Sequence, residues 1–233
     1  MSLVLVTGAS QGIGAAIARA FAEQDGARLA LVSRNEAKLE AVAADCRGRG
    51  GDAHVFPCDV ADDAAVEALG RDVADRLGVP DVLVNNAGQF TPGGFLDTSP
   101  EAFRRQLEVN VVSAFLVTRA FLPDMLARGS GRVLMMGSVA SVRGYPGGAA
   151  YGAAKHAVLG LARALREETK GSGVGVTVLL PGATLTPSWD GAGVEADRLM
   201  PPEDVARVAV EVAGLSPRSV VEEVLIRPAQ GDV

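Results

Sequence analysis

The sequence predicts an α/β fold in which a parallel β-sheet is covered by helices on both faces. Short β-branched runs alternate along the chain with longer segments of helical periodicity. Two of the short runs, Leu3–Thr7 and residues 176–180, are almost entirely apolar, as expected of strands buried on both faces. The segments between the runs are long enough for the helical crossovers that parallel strands require. The expected architecture is therefore a three-layer αβα arrangement around a doubly wound, mostly parallel sheet of seven strands.

Strands and helices are predicted in alternating order. The strands are expected at 3–7, 28–33, 53–57, 81–85, 131–137, 174–180 and 222–227, and the helices at 13–25, 35–48, 62–77, 100–128, 151–170 and 202–213. Asp62-Asp63 and Pro202-Glu203 are favourable first turns for two of these helices. At roughly 100–200 residues per domain, residues 1–233 are expected to form one domain. The long irregular stretch at 187–200 is predicted to be a short substrate lid.

Composition narrows the classes of function. The chain has 233 residues, a formal net charge of −6 and 4% aromatic residues, which argues against the basic face or stacking surface of a nucleic-acid-binding protein. Cys46, Cys58, His54 and His156 show neither a disulfide framework nor metal-ligand spacing, so no metal is expected. No apolar run approaches the ~18 residues of a membrane span, and the N-terminal run is typical of a strand rather than a signal peptide. We therefore expect a cytoplasmic protein without membrane contact.

A glycine-rich turn follows the first predicted strand and opens the first helix. Gly8 would let the chain turn sharply, Gly12 would let the backbone approach a pyrophosphate, and Gly14 would allow close packing of helix and sheet. The helix N-terminus supplies unpaired N–H groups to phosphates. We therefore predict a dinucleotide site here, although a turn of this kind can also be purely structural. The residues between these glycines that are expected to contact the cofactor are Ser10, Gln11 and Ile13.

The end of the second predicted strand bears on which dinucleotide is bound. A site selective for NAD places an acidic residue there to bind the ribose 2′-hydroxyl, whereas this chain has Ser33 and Arg34. A hydroxyl and a guanidinium suit the 2′-phosphate of NADP. NADP(H) is therefore favoured over NAD(H), the alternative being that Arg34 is a solvated charge at the start of the next helix.

Tyr151 and Lys155 are four residues apart on a predicted helix, which places them on one face, one turn apart. A neighbouring ammonium group is expected to lower the pKa of the phenol and make it a better acid–base group. Ser138 closes one predicted strand, Asn85–Gly88 closes another, and Asn110 lies in the helix that follows. Since parallel folds bind ligands at the carboxyl ends of their strands, these residues are predicted to share a site. A Tyr-x3-Lys pair also occurs by chance on solvated helices.

Taken in this order, the motifs resemble those of the classical short-chain dehydrogenase/reductase family over nearly the whole chain. The nearest layout is that of the 3-oxoacyl-acyl-carrier-protein reductases. The matching pieces are Thr7-Gly8-x3-Gly12-x-Gly14, Asp59-Val60, Asn85-Asn86-Ala87-Gly88, Asn110, Ser138, Tyr151-x3-Lys155 and Pro181-Gly182. The resemblance implies a Rossmann-type dinucleotide fold and hydride transfer between a nicotinamide cofactor and a carbonyl or alcohol.

The resemblance also implies roles for individual residues. Tyr151 would exchange the proton, Ser138 would bind the carbonyl oxygen, Lys155 would bind the nicotinamide ribose, and Asn110 would hold a water that links Lys155 to solvent. Further contacts with the cofactor would come from Asp59, Val60, Asn85, Asn86, Ala87, Gly88, Pro181, Gly182, Thr184 and Thr186. The substrate would be lined by Gln89, Phe90, Val139, Tyr145 and Trp189.

The resulting prediction is an NADP(H)-dependent carbonyl reductase or alcohol dehydrogenase. Two alternatives remain open: a 3-oxoacyl-acyl-carrier-protein reductase and a nucleotide-sensing regulator without turnover. The family's carrier-dependent reductases have arginines where this chain has Gly129 and Ser172, and many of its NADP-preferring members have a basic residue where this chain has Gln11. A homodimer or homotetramer is expected through the helices at 100–128 and 151–170, with a small molecule as substrate and no nucleic-acid or membrane partner.

Overall fold

The computed structural model describes residues 2–232, and seven parallel strands form its sheet in the order β3-β2-β1-β4-β5-β6-β7. The strands are β1 Leu3–Thr7, β2 Arg28–Ser33, β3 Asp52–Pro57, β4 Val82–Asn85, β5 Gly131–Met136, β6 Val174–Pro181 and β7 Glu223–Ile226. The helices are α1 Gly12–Ala22, α2 Glu36–Gly48, α3 Asp63–Arg76, α4 Pro100–Leu107, α5 Ser113–Arg128, α6 Ala149–Glu168 and α7 Pro202–Ala213. The predicted doubly wound α/β fold is confirmed.

The order of the strands determines where a ligand can bind. The chain adds β2 and β3 on one side of β1, then returns to place β4 on its other side. The crossovers therefore diverge between β1 and β4 and leave a crevice at the carboxyl ends of these strands. Open α/β sheets bind ligands at this kind of crevice.

Two apolar clusters cover the two faces of the sheet. One contains Ile17 of α1, Leu39 of α2 and Val205 of α7, and the other contains Val66 of α3 and Phe121 of α5. The central strands β1, β4 and β6 are buried at every position, which explains their continuous apolar sequences. The three-layer arrangement fixes the strand ends from which the candidate site is built.

The helix starts follow the local sequence signals. The Asp62 side chain caps α3 by accepting a hydrogen bond from the Ala65 N–H at 3.0 Å. Pro202 is the first residue of α7, where its missing N–H is not needed. The Ser99 hydroxyl caps α4 by accepting from the Ala102 N–H at 3.2 Å. These three starts lie within one residue of the predicted ones.

The helix predicted over residues 100–128 is present with these bounds, but a turn of different hydrogen bonding interrupts it. Between α4 and α5, the five residues Glu108–Val112 form a π-helical turn that contains Asn110. Such turns are common at functional sites, and a hydrophobic pattern read at 3.6 residues per turn does not reveal them. The predicted lid at 187–200 also contains two short 3-10 turns, Pro187–Trp189 and Ala196–Arg198.

The stretch Pro100–Arg128 is long and apolar enough to meet a membrane-span criterion, with a mean hydropathy of 1.4 over its most apolar window. Charged residues interrupt the stretch, so no unbroken apolar run marks it in the sequence. Core helices of α/β domains meet the same criterion, and Val117, Phe121 and Met125 of α5 are buried in the apolar cluster beneath the sheet. Packing within the fold therefore accounts for part of its apolar composition, since 39% of that window is buried.

Candidate active site

The glycine-rich turn has the backbone conformation that its glycines permit. Gly8 and Gly12 have φ angles of +65° and +56°, which side chains other than glycine rarely adopt. A Cβ atom on Gly14 would overlap the Gly8 carbonyl oxygen and the Asn86 amide. A Cβ atom on Gly12 would lie 3.2 Å from Cγ2 of Thr186, so the turn faces the segment that follows β6.

Thr7 and Asn86 join the glycine-rich turn to the end of β4. The Thr7 hydroxyl accepts from the backbone N–H groups of Asn86 and Ala87, each at 3.0 Å, and donates to the Val84 carbonyl at 3.2 Å. The Asn86 side-chain amide donates to the Thr7 carbonyl at 3.0 Å. These bonds fix the two sides of the crevice relative to each other.

The four predicted catalytic side chains lie together in a cavity of about 420 Å³ at the carboxyl ends of the central strands. Lys155 is buried, and its Nζ donates to the Met136 carbonyl at 2.8 Å and lies 5.6 Å from the centroid of the Tyr151 ring. A Cβ atom on Gly88 would lie 2.7 Å from Asn110 Oδ1 and 3.6 Å from Lys155 Nζ. The Asn110 amide and the Lys155 ammonium therefore border the same short loop.

Asn110 is held by hydrogen bonds that the π-helical turn makes possible. Its Nδ2 donates to the carbonyls of Gln89 and Gln106, each at 3.0 Å, and its Oδ1 accepts from the Gln89 N–H at 3.2 Å. The side chain therefore clamps the loop after β4. The role inferred from the family resemblance, holding a water for proton relay, stays a prediction.

Ser138 is placed by the 3-10 turn that follows β5. Its hydroxyl accepts from the Ala140 N–H at 3.2 Å, and its own N–H donates to the Ser141 hydroxyl at 3.1 Å. This reciprocal capping arrangement fixes both the backbone and the hydroxyl of Ser138. The hydroxyl also interacts with that of Tyr151, which lowers the pKa of the phenol.

Burial dominates the electrostatics of Tyr151 and Lys155. Burial raises the pKa of Tyr151 from 10.0 to about 12, although the hydrogen bond with Ser138 has a smaller lowering effect. It lowers the pKa of Lys155 from 10.5 to about 8. The expectation that Lys155 lowers the pKa of Tyr151 is therefore wrong for the protein chain alone. Removal from water disfavours the charged form of each group, so Tyr151 is protonated at neutral pH.

Most of the predicted cofactor and substrate residues line this cavity. They are Gly8, Gln11, Gly12, Ile13, Asn86, Gly88, Gln89, Phe90, Val139, Tyr145, Pro181, Gly182, Thr184, Thr186 and Trp189. Others lie outside its lining, namely Ser10, Gly14, Ser33, Arg34, Asp59, Val60, Asn85 and Ala87. Ser33 and Asp59 lie beside each other at the carboxyl ends of β2 and β3, since the Cys58 N–H donates to the Ser33 carbonyl at 3.0 Å. Asn85 points into the protein, where its amide donates to the Thr118 hydroxyl at 2.8 Å.

Aromatic side chains are concentrated on the substrate side of the cavity. Both tyrosines and the single tryptophan line it together with Phe90, although aromatics make up only 4% of the chain. The rings of Phe90 and Tyr151 meet edge to face at 5.1 Å between centroids, a favourable arrangement. The side chain of Tyr145 covers Gly148, where a Cβ atom would lie 2.5 Å from Cζ of the ring.

Three charged residues near the site were not expected from the sequence. Arg143 and Asp232 line the cavity and form an ion pair at 2.9 Å, although they are 89 residues apart in the chain. Lys38 of α2 reaches the glycine-rich turn, where its Nζ donates to Oε1 of Gln11 at 3.0 Å. No sequence motif marks these contacts, because they depend on how distant loops meet at one edge of the sheet.

Known proteins resemble this chain over most or all of its length. A family profile described as "short chain dehydrogenase" matches residues 2–195. A protein named sepiapterin reductase from Chlorobaculum tepidum is 34% identical over 99% of this chain and 98% of its own length. The structure of an alcohol dehydrogenase from Thermococcus sibiricus, complexed with 5-hydroxy-NADP, has a TM-score of 0.92 at 31% identity and covers 100% of this chain and 99% of that one. A metagenomic short-chain oxidoreductase solved with NADP has a TM-score of 0.86 at 34% identity, covering 98% of this chain and 97% of that one.

These matches and the fold agree with the resemblance carried by the motifs. The profile covers well over half of the chain, and the relatives align along nearly their full lengths. The relatives are named as reductases or dehydrogenases, which act on carbonyl and alcohol groups. The chain belongs to the short-chain dehydrogenase/reductase family and is an oxidoreductase of that family.

Proposed function

We propose that the protein is an NADPH-dependent reductase of a small carbonyl compound, with Ser138, Tyr151, Lys155 and Asn110 as its catalytic residues. The observation that carries the proposal is their convergence on one cavity beside the glycine-rich turn. Tyr151 is protonated at neutral pH, and burial raises its pKa further, which suits a proton donor. A protonated phenol can give its proton to a carbonyl oxygen directly, whereas it must first lose that proton before it can accept one from an alcohol.

The residues of the cavity fit a nicotinamide dinucleotide. Gly8 and Gly12 leave the floor of the turn without side chains, and the N-terminus of α1 directs its free N–H groups toward the same place. Thr186 faces this turn from the segment after β6, and Thr184 of the same segment lines the cavity. The cofactor, when bound, would supply the hydride. The proposed arrangement is a single cofactor-binding domain over residues 1–233, with residues 187–200 as its lid.

The chain's own groups account for the proton transfer. The Ser138 hydroxyl would donate to the substrate oxygen as negative charge develops on it. The Tyr151 hydroxyl would then give its proton to that oxygen. Lys155, held by the Met136 carbonyl, would bind the ribose of the cofactor with its remaining N–H donors. Asn110 would keep the loop at Gly88 and Gln89 in place beside them.

Three residues support a preference for NADP over NAD. Arg34 is exposed at the end of β2, and the adjacent Ser33 hydroxyl is buried without a hydrogen-bond partner among residues 2–232. Lys38 provides a second cation where many NADP-preferring relatives have a basic residue, because Gln11 holds its ammonium at the glycine-rich turn. Two cations and a free hydroxyl suit the dianionic 2′-phosphate.

Cofactor titration tests this preference. The wild type should bind NADPH more tightly than NADH, and Arg34→Ala should weaken NADPH binding by about 10- to 100-fold, the range of a hydrogen bond between charged groups. Lys38→Met should cost a smaller factor, about 3- to 10-fold, because its exposed charge is screened by solvent. Lys170→Met, at an exposed lysine paired with Glu167, is the matched control. Equal wild-type affinities for the two cofactors would refute the preference.

The carrier-protein alternative receives no support from the charged residues near Gly129 and Ser172. These two residues lie close together, the Ser172 carbonyl being 3.8 Å from a Cβ atom on Gly129. The guanidinium of the neighbouring Arg128 donates to the carbonyls of Val79 and Pro80 at 2.9 and 2.7 Å. It is engaged within the fold rather than directed at an acidic partner, so a small-molecule substrate is the better proposal.

We also propose that the protein assembles through α4, α5 and α6. Phe103, Phe115 and Leu126 on α4 and α5 expose 38%, 47% and 39% of their surface. Apolar surface of this kind is typical of subunit interfaces. Light scattering at micromolar concentration should give the mass of a dimer or tetramer, and Phe115→Asp should shift it toward the monomer. A wild-type monomer would contradict the proposal.

We also propose that the protein is located in the cytoplasm. Cys46 and Cys58 are buried free thiols, and burial raises the pKa of each to about 11. Such thiols are unreactive and typical of proteins from a reducing compartment. Fractionation of cells that express the chain would test it.

A further inference from the structure

The cavity contains a second set of charged side chains besides the proposed catalytic residues. Arg143 and Asp232 line it, and Nη1 of Arg143 donates to Oδ2 of Asp232 at 2.9 Å. Arg227 donates to the same carboxylate from Nε at 3.1 Å and from Nη2 at 2.6 Å. We call Arg143, Arg227 and Asp232 the charged triad. Its two guanidinium groups and one carboxylate carry a net charge of +1.

The triad lies on the side of the cavity opposite the glycine-rich turn. Arg143 follows the 3-10 turn that begins at Ser138 after β5, whereas Arg227 and Asp232 follow β7. The glycine-rich turn follows β1, and β1 and β7 lie on opposite sides of β5 in the sheet. The triad therefore borders the part of the cavity that a dinucleotide held at β1 would leave to the substrate.

The segment after β7 presents Asp232 to this part of the cavity. Pro228 is buried and packs on Gly182, where a Cβ atom would lie 2.9 Å from its ring. The Gly231 N–H then donates to the Pro228 carbonyl at 2.9 Å and closes a turn. Arg227 makes two of the three hydrogen bonds to Asp232, so it fixes the carboxylate independently of Arg143.

Arg143 keeps most of its N–H donors free. Its side chain is 64% exposed, and the bond to Asp232 is the one hydrogen bond that its guanidinium makes within residues 2–232. The planar guanidinium matches a carboxylate better than any other side chain does. Tyr145 and Trp189 provide flat apolar surface in the same cavity.

We propose that Arg143 binds a carboxylate of the substrate, at the end away from the reacting carbonyl, with the body of an aryl oxo acid packed against Tyr145 and Trp189. This inference rests on the proposed carbonyl reduction and names the substrate class. The hydrogen bond to Asp232 holds the Arg143 guanidinium in place. The negative charge of Asp232 also weakens the binding of the substrate anion, without closing the site. Substrate selection thus depends on the balance between Arg143 and Asp232.

The test uses aryl ketones with and without a charge. 4-Oxo-4-phenylbutanoate, 5-oxo-5-phenylpentanoate and 4-acetylbenzoate carry a carboxylate at increasing distances from the ketone, and their methyl esters are the neutral counterparts. For the acid of best fit, kcat/KM with NADPH should fall by about 10- to 100-fold in Arg143→Met, as for loss of a charge-assisted hydrogen bond. The value for its ester should stay within about twofold. Equal losses for acid and ester, or no loss, would overturn the inference.

A second variant should have the opposite effect. Asp232→Asn removes the carboxylate that repels the substrate anion while keeping an acceptor for Arg227, so kcat/KM for the acid should rise relative to that for the ester. A fall for both compounds would show that Asp232 itself binds the substrate and would overturn the inference. The matched controls are Arg19→Met and Asp45→Asn, at a surface pair 2.9 Å apart that lies outside the cavity lining.

Binding measured without turnover separates this inference from the proposed reaction. Trp189 is the only tryptophan of the chain and lines the cavity, so its fluorescence reports binding of the acids to the enzyme–NADP⁺ complex. Affinity that depends on Arg143 without any reduction would contradict the proposed reaction and leave the carboxylate site standing. Reduction of the acids that does not depend on Arg143 would support the proposed reaction and overturn the carboxylate site.

Discussion

Tyr151→Phe is expected to abolish most of the ketone reductase activity while leaving the fold intact. The substitution removes a single hydroxyl, and a positioned acid–base group contributes roughly 10²–10⁴-fold to a rate. The kcat for a good ketone substrate should therefore fall by about that factor. The Kd for NADPH, measured by titration, should change little because the ring and the Lys155 ammonium remain.

The second tyrosine of the same cavity provides the comparison. Tyr145 also lines the site, and burial also raises its pKa, but it is not the residue paired with Lys155. Tyr145→Phe should therefore act on KM more than on kcat. Near-normal kcat in Tyr151→Phe would show that another group donates the proton, and the catalytic assignment would then be wrong.

The sequence was sufficient for the sheet and for most of the candidate site because both depend on local signals. Runs such as Leu3–Thr7 and Val174–Pro181 are buried throughout, and a continuous apolar run identifies such a strand without tertiary information. The glycines with positive φ at positions 8 and 12 are equally local. Ser138 and Asn86 directly follow strands, so the position of the strand ends places them in the crevice.

The features that the sequence did not reveal depend on the whole fold. The π-helical turn around Asn110 is stabilised by bonds to Gln89 and Gln106, and Gln89 lies on a different element. The contact between Lys38 and Gln11 joins α2 to the turn before α1. The direction of the Tyr151 pKa shift was mispredicted because helical spacing indicates which charge is near but not how much water is removed.

Replacement of Lys155 should lower the activity and raise the stability of the fold. The reason is that Lys155 is proposed to serve the reaction, whereas burial of its charge destabilises the folded chain. In Lys155→Met, the contact with the cofactor ribose and the charge beside Tyr151 are lost. NADPH affinity should fall by at least about 10-fold, and kcat should fall as well. The free energy of unfolding, measured without added cofactor, should nevertheless increase.

The expected gain follows from the cost of burying an ammonium group. Burial lowers the pKa of Lys155 from 10.5 to about 8, which corresponds to a penalty on the order of 3 kcal/mol at pH 7. Loss of the hydrogen bond to the Met136 carbonyl would offset about 1 kcal/mol of this. The melting temperature of Lys155→Met at pH 7 should therefore lie about 4–8 °C above that of the wild type.

The pH dependence of this gain distinguishes relief of the buried charge from better apolar packing. Below pH 8, Lys155 is protonated in the folded and the unfolded chain, so the full penalty acts on the wild type. Between pH 8 and 10.5, the unfolded chain binds more protons than the folded one, and wild-type stability contributed by this group rises with pH. The advantage of Lys155→Met should thus shrink across that range in denaturant unfolding series. An advantage that stays constant from pH 7 to 10 would mean that the ammonium carries no burial penalty, whereas a less stable variant at pH 7 would mean that Lys155 stabilises the fold.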